Sequence, residues 1–146
     1  MTVRVERSFE LRAPPKRVWE FIADPENRAR SISVVDEFVT TDPDGRRVTW
    51  DVELPIPLVR RTVQVDTEDV TRTPPEYVKF VGTSKVMEVT GEHEIIETED
   101  GSRLENRFVV DGKLPGVETF FKHNLDGEID NLHRALERDF KRTNGE

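Results

Sequence analysis

The residues of this chain best placed for chemistry are polar ones that interrupt apolar rows. Glu128 falls near the middle of a helical apolar stripe, one turn from both Leu125 and Leu132. A carboxylate there has to be protonated, paired with a cation or wetted by a cavity, because burying it bare is costly. Arg7 and Arg61 stand in otherwise apolar strand rows and are the cations available to it. His93 shares a row with Met87, Val89, Gly91 and Ile95, Asn106 shares one with Leu104, Phe108 and Val110, and Asn124 flanks the Glu128 face. Two readings are open: a polar anchor for a small molecule, with Glu128 and Arg61 foremost, or a series of internal ion pairs and satisfied core groups. If the site is catalytic, His93 and Glu128 are the candidates, as a proton-transfer pair in a shielded pocket. Nucleophilic chemistry is not expected, since the chain has no cysteine and no Ser-His-Asp arrangement can be read from its spacings. Neither a metal nor another cofactor is expected. His123 and His133 stand ten positions apart along the helix, too far to hold one metal ion, and His123 should lie in solvent.

Period-2 segments supply the rows. Val3, Val5, Phe9 and Leu11 alternate with Arg4, Glu6, Ser8, Glu10 and Arg12, a strand with one wet side broken on its dry side only by Arg7. Ala13-Pro14-Pro15 ends that strand and presets φ for a helical turn, Val18, Phe21 and Ile22 recur at helical spacing, and Asp24-Pro25 stops this helix and caps a second. Val34 to Thr40 and Val48 to Leu54 flank Asp42-Pro43-Asp44-Gly45, a hairpin connection. After Pro55-Ile56-Pro57 a strand is expected from Val59 to about Val70, with Val59, Arg61, Val63 and Val65 facing inward. Tyr77 to Val81, Val86 to Ile96 and Arg103 to Val110 follow as strands, the last two joined by a turn at Glu99-Asp100-Gly101. From Val117 to about Arg142 the period changes to 3.6, with Val117, Phe121, Leu125, Ile129, Leu132, Leu136 and Phe140 in one stripe. Such a helix is about 39 Å long at 1.5 Å per residue.

A sheet with one dry face has to bury it, and this last helix is the only element long enough to do so. A sheet curled around a helix leaves a gap lined from both sides, the natural place for a ligand. Trp50, Trp19, Phe108, Phe121, Leu125 and Leu132 are the expected walls. The segments Phe120-Phe121, Leu114 to Val117 and Leu54 to Leu58 either form a portal or close the bottom of the core. The expected organisation is one α+β domain over 1–142, with 143–146 as a disordered tail.

Composition narrows the partners. With 30 acidic against 22 basic side chains the net charge is −8, so the field repels polyphosphate and nucleic acid is not an expected partner. Arginine outnumbers lysine 16 to 6, as a salt-adapted cytosol or a G+C-rich genome would produce; full structure in low-salt buffer would count against the first. No apolar run approaches the roughly 20 residues of a membrane span, and a strand begins almost at Met1. The expectation is a cytoplasmic monomer or homodimer with at most transient membrane contact.

Element order, Ala13-Pro14-Pro15 followed by Val18-Trp19 and Asp24-Pro25-Glu26-Asn27, Gly91 in a late strand, Asp100-Gly101-Ser102, and Asn131-Leu132 to Leu136-Glu137 together resemble the START-like (SRPBCC) helix-grip superfamily. Two of its branches are the most similar, that of the polyketide cyclases and dehydrases and that of the accessory proteins of carbon monoxide dehydrogenase. The resemblance covers nearly the whole chain and implies a curved antiparallel sheet of about six to seven strands wrapped around the C-terminal helix, with two short helices after the first strand. Arg28-Ala29-Arg30-Ser31-Ile32 stands where many relatives have a tryptophan and a proline, so ligand identity does not carry over. The function expected is binding of an apolar small molecule such as a lipid, isoprenoid, quinone or polyketide. The resemblance also implies two alternatives: a polyketide cyclase or dehydratase, and an accessory protein of a molybdenum hydroxylase.

Overall fold

Alternating segments form seven strands and the helical segments three helices in the computed structural model, which describes residues 2–56 and 62–143. They run β1 (Thr2–Leu11), α1 (Pro15–Ile22), α2 (Pro25–Arg30), β2 (Val35–Thr40), β3 (Arg47–Val52), β4 (Val63–Thr73), β5 (Tyr77–Thr83), β6 (Met87–Thr98), β7 (Gly101–Gly112) and α3 (Val117–Thr143). The sheet is antiparallel in the order β1-β7-β6-β5-β4-β3-β2. From β1 at one edge the chain crosses through the two short helices to the opposite edge, then meanders back until β7 closes against β1. The expected strand start at Val59, with Arg61 and the end of the proline segment, lies outside the described residues, as does 144–146 of the expected tail.

The prolines act as the sequence suggested. Pro15 opens α1, whose Val18, Phe21 and Ile22 are buried, and Asp24 caps α2 by accepting a hydrogen bond from the Glu26 backbone N–H at 2.9 Å. All seven stripe residues of α3 are buried against the sheet's inner face. Arg17 of α1 donates to Asp139 at 2.6 Å and lies over the Phe140 ring, fastening α1 to the end of α3. The outer face carries cross-strand ion pairs, such as Arg107 of β7 with Glu92 and Glu94 of β6. Much of the charge in the composition goes there.

Two local irregularities shape the inner face. Between β4 and β5 the register runs Asp69 opposite Phe80, then Thr71 opposite Lys79, so Val70 is an extra residue. This bulge switches the parity of β4 and returns Arg72 to the side of Asp69. In β6, Gly91 lies opposite Phe80, and a Cβ there would come within 2.1 Å of Phe80 Cε1. The Phe80 ring fills the space that a side chain at 91 would need. Gly91→Ala is expected to cost about 1–3 kcal/mol through this overpacking, read as a lowered urea midpoint at unchanged slope.

Candidate functional site

Between α3 and the sheet lies a hollow with almost wholly apolar walls. Trp50, Phe80 and Phe108 line it from the sheet, and Phe121, Leu125 and Leu132 from the helix. The rings brace one another: Phe80 sits 5.9 Å from Trp50 and 6.4 Å from Phe108 between centroids. The hollow is small, with about 60 Å³ open to the centre of a water-sized sphere. That still exceeds the ~10–15 Å³ one water needs by this measure.

His93 is the neutral polar group in the sheet wall. It is 1% exposed, and its Nδ1 lies 2.8 Å from Asn106 Oδ1, its register partner on β7. Asn106 donates through Nδ2 to the carbonyls of Arg7 (3.1 Å) and Leu104 (3.3 Å), so the atom it turns to His93 is an acceptor. The proton of the imidazole therefore sits on Nδ1, and Nε2 is a bare lone pair. Burial, reinforced by the nearby Arg28 charge, pushes His93 down to about 3, against the opposing hydrogen bond to Asn106. His93 is neutral throughout the physiological range.

Among the described residues two charged groups reach the hollow, and both are matched. Arg28, 4% exposed, forms an ion pair with Asp69 through Nη2, donates through Nη1 to the Ile22 carbonyl at 2.8 Å, and lies over Phe80 at 5.1 Å. Asp69, 2% exposed, takes a further hydrogen bond from Arg72 Nε at 3.0 Å. Burial lowers the Arg28 pKa and the Asp69 carboxylate opposes that shift. Glu128 is half-buried at the rim and accepts hydrogen bonds from the Ser33 backbone N–H at 2.6 Å and from the Ser33 hydroxyl. This latch joins α3 to the α2–β2 connection.

The residues singled out in the sequence thus separate. His93, Glu128, Trp50, Phe108, Phe121, Leu125 and Leu132 line the hollow. Asn106 does not; it stands behind His93 and positions the ring. Asn124 is exposed and donates along its own helix to the Phe120 carbonyl at 2.7 Å, because its wheel position falls just outside the buried stripe. Trp19 packs on the periphery of the core instead of forming a wall. Arg7 does not meet Glu128: it reaches over the sheet edge to Asp130 (2.7 Å) and Asp126 (3.4 Å) of α3. Leu54, Ile56 and Val117 are buried and Gly116 lies beside Ile56, so the described parts of these segments meet. His123 is exposed and His133 stacks on Phe9 at 4.3 Å. No cluster of ligating side chains suited to a metal exists among the described residues, and none of their helices is long and apolar enough to cross a membrane.

Arg28 and Asp69 were missed in the sequence, although Asp69 continues the Val63-Val65 row. Their pairing has no local signal, for six residues of α2 define no face.

No curated protein matches the chain. Among solved structures it is similar to a START superfamily protein from Mycobacterium smegmatis (16% identity, 96% of this chain and 98% of that one, TM-score 0.74). A conserved protein from Geobacillus kaustophilus is alike at 16% identity, 97% of each chain and TM-score 0.76. The di-domain ARO/CYC StfQ from the steffimycin biosynthetic pathway matches at 13% identity and TM-score 0.74 over 99% of this chain, which spans about half of that protein (53%). These likenesses are of fold. The family described as "Polyketide cyclase / dehydrase and lipid transport" matches residues 2–137. A family match over nearly the full length, joined to a seven-stranded sheet gripping one long helix, makes this chain a member of that START-like family, with its hydrophobic ligand-binding fold.

Proposed function

We propose that the protein binds an apolar small molecule, such as a lipid, isoprenoid, quinone or polyketide, in the hollow between the sheet and α3. One observation carries this reading: the walls are almost wholly apolar, and among the described residues each charge that reaches them is already matched, Arg28 by Asp69 and Glu128 by Ser33. Affinity then comes from apolar area withdrawn from water, at about 25 cal/mol per Å². The small volume favours a single chain or ring over a bulky fused system.

Proton-transfer catalysis has less support. An imidazole held near 3 is too weak a base to take a proton at neutral pH and is almost never charged to give one. Native mass spectrometry of protein purified from its own host, looking for a retained small molecule, tests the binding reading directly. Phe121 lines the hollow from α3, so Phe121→Arg is expected to weaken uptake of a fluorescent fatty acid or quinone analogue at least tenfold with the circular dichroism spectrum kept. Unchanged affinity would reject the cavity as the site.

A further inference from the structure

Two residues that line the hollow each carry a buried side-chain atom with no hydrogen-bond partner among the described residues: Trp50 Nε1 and His93 Nε2. Their side chains are 5% and 1% exposed. A buried donor or acceptor left unpaired is costly, and native proteins leave few of them, so orphans in a cavity wall point to something inside the cavity.

The two atoms want opposite things. An indole N–H only donates. His93 Nε2 only accepts, because Asn106 places the ring proton on Nδ1 through its own bonds to the Arg7 and Leu104 carbonyls. They belong to β3 and β6, three places apart in the sheet with Phe80 of β5 between the rings, so they address different parts of one molecule. Among the described residues nothing in the hollow invites an anion: Arg28 is held by Asp69 and the Ile22 carbonyl, and the Glu128 carboxylate stands at the rim.

We propose that the molecule taken up is neutral and hydroxylated, with a hydroxyl donating to His93 Nε2 and a carbonyl or hydroxyl oxygen elsewhere on it accepting from Trp50 Nε1. This rests on the binding reading above and names the chemical class of its ligand. Asn106 is a positioning residue in this scheme, fixing which nitrogen of His93 carries the proton and which is left to accept.

The test uses small probes on one skeleton, followed by NMR titration of the whole protein: butylbenzene, 4-butylphenol, 1-butyl-4-methoxybenzene, 4-butylbenzoate and 4-butylacetophenone, the last of which brings an acceptor for Trp50 and should outbind butylbenzene. The phenol should bind about tenfold more tightly than its methyl ether, which keeps the oxygen but has no proton to give, and more tightly than the benzoate. In His93→Phe the phenol and the ether should become equal while butylbenzene still binds. In Trp50→Phe the advantage of 4-butylacetophenone over butylbenzene should disappear. Equal affinity of phenol and ether for the unaltered protein would overturn the proposal and leave the binding reading intact. So would tightest binding by the benzoate, which would make Arg28 the anchor. Failure of all the probes to bind would reject the binding reading and this proposal with it. Because the decisive comparison is made on the unaltered chain, a variant that does not fold leaves the question answerable.

Discussion

Asp69→Ala is expected to lower the unfolding free energy by about 3–5 kcal/mol, the largest effect of any single change considered. The reason is what remains. Arg28 is almost fully buried between the Phe80 ring and the base of the hollow, and without Asp69 its guanidinium keeps only the Ile22 carbonyl as a partner. Arg72 would suffer less, being partly exposed and able to turn to water. The pair itself adds little net stability, because desolvating two ions roughly cancels their attraction. Arg28→Met combined with Asp69→Leu should therefore recover most of the loss. With total stabilities of about 5–15 kcal/mol for domains in general, the single variant should show a much lower urea midpoint, and the double variant one near the starting value. A single-variant loss below about 1 kcal/mol would mean that water reaches Arg28 after all.

That pair also marks where the sequence stops being legible. Rows of period 2 and 3.6 located the strands and α3 because burial on one face repeats its demand every second or every three to four residues, as Val48, Trp50 and Val52 or Phe121, Leu125 and Leu132 show. Walls of the hollow could be named on the same ground. Polar partners could not. Asn106 and Glu128 both interrupt apolar rows, yet Asn106 turns sideways to His93 and Glu128 reaches out to Ser33, choices set by register and loop path. Arg7 shares a row with Phe9 and Leu11, but β1 is an edge strand, and a long side chain at an edge can leave the face for the carboxylates of α3. Arg28 and Asp69 lie 41 residues apart and meet because the strand order brings β4 under α2. The Val70 bulge that adds Arg72 to them leaves no mark in the alternation.

Acidification from pH 7 to pH 5 is expected to remove about 2 kcal/mol of stability through His93 alone. In the unfolded chain this imidazole titrates near 6.5; in the fold, burial and the Arg28 charge hold it near 3. Below about 6.5 the unfolded state takes up a proton that the folded state refuses. The contribution is therefore complete above 6.5 and drains away as pH falls towards 3, at up to about 1.4 kcal/mol per pH unit. Carboxylates act lower down. Asp130, held low by its hydrogen bond from Arg7, and Glu105, held low by the Ser8 hydroxyl, lose their contributions as pH falls below the ordinary carboxylate range of about 4. The window from 6.5 to 5 thus lies above these carboxylates and within the range where His93 acts. Urea midpoints at pH 7, 6 and 5 should fall steadily for the unaltered protein and much less for His93→Phe, whatever the absolute stability of the variant. Parallel curves for the two would mean that His93 accepts its proton within the fold, from a cavity wet enough to solvate it, and a neutral His93 in the hollow would have to be given up.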